Sequence, residues 1–158
     1  MADESNRKYP FLDAETDDAM ASPNGQNTKE DDSTPRELHF EDDAVGEQLR
    51  HADPETLDGA GFGVIKIDDE GVVEFFNRWE SELSGVKKEE AEGRNFFTQV
   101  APCTNNRLFR GRFRKGVRRG ELDETFTYTY TYKMRPTLVE VHLYRDADGN
   151  NWIMVQKF

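Results

Sequence analysis

Residues 125–132 read Thr-Phe-Thr-Tyr-Thr-Tyr-Thr-Tyr, a strict alternation of hydroxyl-bearing and aromatic side chains. A helix would scatter those aromatics around its circumference, whereas an extended strand places all four on one face. The segment is therefore a half-buried strand, and a strand needs partners. Residues 137–145 (TLVEVHLYR) and 152–158 (WIMVQKF) supply two, turning at Asp146–Asn150. Upstream, 63–69 and 72–77 (VVEFFN) read as two more strands, joined by a turn at Asp69-Glu70-Gly71.

Helical signals fill the gaps. Phe109, Phe113 and Val117 recur every four residues, marking an amphipathic helix that stops at Gly120. A shorter helix runs from Arg78 to about Leu83 and stops at Gly85. Val45 and Leu49 lie one helical turn apart, and Asp53-Pro54 is an N-cap followed by proline at the first helical position, so two short helices fit within 43–59. Residues 93–108, punctuated by glycine, proline and asparagine, read as a loop that contains the chain's one cysteine, Cys103. The fold class is α+β: a five-stranded antiparallel sheet with helices on one side and an N-terminal helical cap.

The charge is uneven along the 158 residues. Positions 1–62 hold 17 acidic and 5 basic side chains, while 63–158 hold 15 and 16, so the net charge of −11 belongs to the N-terminal segment. Residues 1–42 carry few apolar side chains and read as a disordered acidic extension, because such a stretch buries too little surface to offset its ordering entropy. Residues 43–61 form the cap and 62–158 the core. So acidic a chain is a poor partner for nucleic acid, and no apolar run approaches the roughly 18 residues of a membrane helix. One cysteine excludes an internal disulfide and a multi-cysteine zinc site, so no metal is expected. The N-terminus does not read as a secretory signal, and the cytoplasm is the expected compartment. The seven basic residues between Arg107 and Arg119 read as a solvated helix face.

Taken alone, Cys103 has two readings. It is a buried, inert thiol, or a nucleophile able to form a thioester with an activated acid. A cysteine hydrolase needs a base, and His39, His51 and His142 carry no triad signature, so no enzyme is expected. Glu80 is also ambiguous. Asn77-Arg78-Trp79-Glu80 has the N-cap and N3 spacing of a capping box, but a carboxyl buried in an apolar pocket would instead stay protonated and donate.

The run GRNFFTQVAPCT (93–104) closely resembles the chromophore-attachment segment of the photoactive yellow proteins, which have the PAS fold. LDGAGFGVI (57–65), FNRWE (76–80) and RGELDETFTYTYTYKMRPTLVEVH (119–142) resemble that family in the same order and with nearly the same spacing. The resemblance implies a blue-light receptor with 4-hydroxycinnamic acid (p-coumaric acid) thioester-linked to Cys103. It further implies Glu80 as hydrogen-bond partner and proton donor. Trans–cis isomerisation, proton transfer and partial unfolding of the cap would then signal to a downstream protein whose identity the sequence does not give. The implied pocket comprises Phe76, Ser84, Val86, Phe96, Val100, Ala101, Pro102, Thr104, Tyr130 and Met134. Two of these depart from the usual pattern. Phe76 stands where many members have a tyrosine that donates to the chromophore's ring oxygen, and Val86 stands at a position often occupied by arginine. Ser84 replaces a threonine and keeps its hydroxyl. The rival reading is a PAS module that senses a small molecule or mediates association without a chromophore.

Overall fold

The computed structural model describes residues 37–131 and 135–158. Most of the acidic extension (1–36) and Met134 lie outside the described residues. Five strands form one antiparallel sheet: β1 (Gly63–Ile67), β2 (Val73–Phe76), β3 (Asp123–Tyr130), β4 (Thr137–Arg145) and β5 (Asn151–Lys157). Their order across the sheet is β2-β1-β5-β4-β3. The fold class is the one expected, with somewhat different limits to the strands. Residue 72 pairs with Asn95 through an isolated bridge instead of extending β2, and β3 begins at Asp123.

Two aspartates tie the hairpin turns. Asp68 Oδ1 accepts from the Glu70 and Val72 N–H groups, and Gly71 takes the positive φ of 97° that closes the turn. Asp146 Oδ1 does the same for Asp148 and Asn150, while its Oδ2 accepts from the Trp152 indole N–H.

The long connection from β2 to β3 crosses one face of the sheet. It carries α3 (Arg78–Ser84), α4 (Lys88–Ala91), a π-helical turn (Phe96–Val100), a 3₁₀ turn (Pro102–Thr104) and α5 (Arg110–Arg119). The region read as loop is thus partly helical, and α4 is a four-residue helix that the sequence did not signal. Beneath these elements lies the main core, built from Ile65, Ile67, Val139, Val141, Leu143, Ile153 and Val155 of the sheet together with Phe96, Phe97, Phe109 and Phe113. The four phenylalanines meet at centroid separations of 5.2–6.0 Å, two pairs edge to face and two tilted.

The opposite face is covered too. There α1 (Val45–His51) and α2 (Pro54–Asp58) pack Val45, Leu49 and Leu57 with Phe62 against Val64, Trp152 and Met154. This explains why Trp152–Val155 are buried without alternation: odd and even residues of β5 serve different cores. Leu38 and Phe40 join the second core at 6% and 7% exposure, so ordered packing begins before the expected boundary at residue 43. Each of these large apolar side chains contributes about 1.5–3 kcal/mol as an upper bound, enough to hold two short helices that would not persist alone.

The cap is seated by Tyr144 of β4. Its hydroxyl donates to Glu47 Oε2 at 2.6 Å, and its ring lies against the backbone of Gly46 in α1. A methyl group at Gly46 would collide with that ring. Gly46→Ala should therefore cost about 1–3 kcal/mol of stability, despite the better helix propensity of alanine. Urea denaturation will show this as a lower midpoint; an unchanged or higher midpoint would mean that the cap is not seated as described.

Candidate functional site

Asn77 ends β2 and begins α3, and its side chain is completely buried. A buried amide must satisfy two donors and two acceptor sites, and this one does. Its Oδ1 accepts from the Val64 N–H and the Glu80 N–H, both at 3.0 Å. Its Nδ2 donates to the Leu57 and Phe62 carbonyls at 2.9 and 3.0 Å. One side chain thereby joins the end of the cap, strand β1 and the first turn of α3.

That turn aims Glu80 inward. The capping-box reading of Glu80 is excluded, because the Asn77 N–H donates to the Val64 carbonyl and not to the Glu80 carboxyl. Instead the Glu80 carboxyl, 1% exposed, enters a narrow pocket lined by Phe76, Glu80, Ser84, Phe96, Val100, Ala101, Cys103 and Tyr130. All eight are residues the sequence reading named. Val86 is buried beside it, with its N–H donating to Ser84 Oγ at 3.2 Å, but it does not line the pocket. Pro102 and Thr104 also fall outside the lining; Pro102 opens the 3₁₀ turn, and the Thr104 hydroxyl donates to the Ala101 carbonyl at 2.7 Å.

Cys103, partly exposed, occupies the middle of that turn. Its carbonyl accepts from the Tyr128 hydroxyl at 2.5 Å and from Asn106 Nδ2 at 3.2 Å, while Asn106 Oδ1 accepts from the Phe109 N–H. The thiol is thus carried on a backbone anchored to β3 and to the start of α5. Sequence reasoning missed Tyr128 and Asn106. The alternation that buries Tyr128 is visible in the sequence, but its hydroxyl's target 25 residues away is not.

Gly63 was also missed. A Cβ there would collide with Glu80 Oε1 and crowd the Trp79 ring. Glycine is required at this point for a carboxyl on α3 to lie against β1.

The electrostatics of the pocket follow from its walls. Among the described residues no arginine or lysine lines it, so burial dominates and pushes the Glu80 carboxyl from its ordinary 4.5 up to about 8, against the lowering effect of its contact with the Tyr130 hydroxyl. Tyr130 is raised well above the ordinary phenol value, first by burial and then by Glu80. At neutral pH both groups hold their protons. Glu80 Oε1 and the buried Tyr130 hydroxyl nonetheless adjoin each other without full hydrogen-bond geometry, and neither has another partner among the described residues. A pair of poorly satisfied polar atoms facing one apolar pocket is costly unless a ligand completes it.

Comparison with known proteins supplies relatives. The PAS fold family profile matches residues 54–157. Photoactive yellow proteins of Rhodothalassium salexigens and Halochromatium salexigens are each 36% identical over 121 residues, which is 76% of this chain and 97% of theirs. Among solved structures, the photoactive yellow protein domain of the sensor histidine kinase Ppr from Rhodospirillum centenum superposes with a TM-score of 0.68 at 38% identity. That match covers 72% of this chain and all of the domain.

The raised carboxyl makes stability depend on pH with a definite sign. The unfolded chain releases the Glu80 proton near 4.5, whereas the folded chain keeps it to about 8. The contribution is therefore complete below about pH 4.5 and declines as pH rises toward 8. Denaturant midpoints of the ligand-free protein should fall across this window relative to those of Glu80→Gln, which has no proton to lose. Parallel pH profiles for the two proteins would refute the burial of a neutral Glu80.

Proposed function

The chain belongs to the PAS family and, within it, to the photoactive yellow proteins, and from that premise we propose that it is a blue-light receptor, not an enzyme, in which Cys103 carries a thioester-linked 4-hydroxycinnamoyl group. One observation carries the reading. The pocket has a thiol at one position and a neutral carboxyl, in loose contact with Tyr130 alone, at another, and an acyl group with a ring hydroxyl has complementary chemistry at its two ends. Attachment requires only an activated acyl donor: the Cys103 sulfur bonds to the acyl carbon, and the leaving group departs with the thiol proton. When bound, the group supplies blue absorption, trans–cis isomerisation about its double bond and a ring oxygen that exchanges a proton.

The protein's own residues account for the rest. Glu80 is held neutral by burial and can donate its proton to a ring oxygen beside it. Once it has done so, an unpaired carboxylate remains in a pocket lined by no cation among the described residues. Such a charge costs several kcal/mol, comparable to the whole stability of a small domain. Relief comes by moving α3 or admitting water. Asn77 ties α3 to the Leu57 and Phe62 carbonyls, so displacement at Glu80 strains the seating of the cap. We infer that loosening of residues 43–61 is the output read by a downstream signalling protein.

Purified protein incubated with activated 4-hydroxycinnamic acid should turn yellow and bleach reversibly in blue light, and Cys103→Ala should stay colourless. A parent protein that gains neither colour nor mass would end the proposal. In Glu80→Gln the colour should persist, while the light-induced rise in hydrogen exchange across residues 45–58 shrinks several-fold. Full-sized loosening in that variant would show that the Glu80 proton does not drive it.

A further inference from the structure

Phe76 brings no hydroxyl to the pocket, although it is fully buried in the wall beside Glu80. Tyr130, the last residue of β3, brings one. The alternation of β3 turns Phe126, Tyr128 and Tyr130 toward the main core, and Tyr130 is only 2% exposed. The Tyr128 hydroxyl is committed to the Cys103 carbonyl. The Tyr130 hydroxyl and Glu80 Oε1 adjoin each other without full hydrogen-bond geometry, and neither has another partner among the described residues. Ser84 Oγ accepts the Val86 N–H and keeps its own proton to donate.

We propose that the Tyr130 hydroxyl is the second hydrogen-bond donor, alongside Glu80, to an anionic ring oxygen of the bound ligand, and does from β3 what Phe76 cannot do from β2. The inference rests on the reading that the pocket receives a 4-hydroxyphenyl group. Its physical basis is a count of protons and acceptors. Besides Ser84, the Glu80 carboxyl of α3 and the Tyr130 hydroxyl of β3 face one apolar space, and apart from each other neither has a partner among the described residues. An anionic oxygen between them gives both an acceptor, and with no cation lining the pocket among the described residues such neutral donors are its means of stabilisation. The titratable groups near this point are Glu80 of α3, Cys103 of the 3₁₀ turn and Tyr128 of β3; among the described residues no basic one lines the space. Glu80 and Tyr130 both keep their protons through neutral pH, as the role requires.

The test separates this role from attachment at Cys103. Methyl 4-hydroxycinnamate, which cannot be retained covalently by alanine, is titrated against the full chain bearing Cys103→Ala, and the ring pKa of the bound ester is read from its absorption band. Adding Tyr130→Phe should raise that pKa by roughly one to two units, the loss expected for one hydrogen bond to a charged oxygen. Adding Phe76→Tyr to that variant should recover most of the shift, because it returns a hydroxyl to the pocket from the facing wall. A bound-ester titration unchanged by Tyr130→Phe, or no binding of the ester at all, would overturn the proposal. Acylation of the unmodified chain, followed by its gain in mass, tests Cys103 independently. The ligand-free protein gives a second readout. Removing a poorly satisfied buried hydroxyl should leave the urea midpoint of Tyr130→Phe equal to or above that of the parent. A clear drop would mean that the hydroxyl already bonds within the protein and is not held for a ligand.

Discussion

Four hydrogen bonds from one buried amide hold this protein's parts in register. Asn77 cannot turn, shorten or lose its side chain without orphaning groups on the cap, on β1 and on α3 together. Each is a backbone group in a dry interior, where an unmet donor or acceptor costs about 1–3 kcal/mol. The orientation of Glu80 depends on this amide, since the N–H that starts its turn is one of the four. Position in the pocket and attachment of the cap are thus set by the same atom group, and a disturbance of one cannot be local.

The sheet has a matching double role. Its central strand β5 sends Ile153 and Val155 into the pocket-side core and Trp152 and Met154 into the cap-side core. The two cores therefore share a wall one residue thick. Side chains on either face rest on a common backbone, and well-packed interiors transmit small displacements because they have little free volume to absorb them. The carboxyl proposed to give up its proton lies on one side and the helices proposed to loosen lie on the other.

How far the sequence discloses this depends on the range of each interaction. Period-two alternation in 125–130 and the four-residue spacing of Phe109, Phe113 and Val117 are local signals, and the strand and helix they mark are present. The meeting of Cys103 and Glu80 at one pocket was legible through the motif around them, and the eight residues of the pocket lining were all among those named. What escaped were contacts between distant positions: the Tyr128 hydroxyl on the Cys103 carbonyl, the reach of Asn77 to Leu57, and the packing of Leu38 and Phe40 on the sheet. Polar flanks hide the last pair, because two apolar residues in an acidic stretch carry no period. Helix α4 was missed for a related reason; four residues, three of them charged, leave no amphipathic pattern to read. The bare backbone at Gly63 was unreadable for another reason, since a glycine at the start of a strand has several uses and the sequence does not say which.

That glycine carries a consequence for how the chain can vary. The space a Cβ would need at position 63 is the space the carboxyl on α3 occupies. The two sites are therefore not independent letters but one spatial quantity divided between them. A chain that gained a methyl group at 63 would have to retract the acid by a bond, as aspartate does, or tilt α3 away from β1. Such a site drifts by paired exchange or stays fixed, and its history should be written in two positions seventeen residues apart.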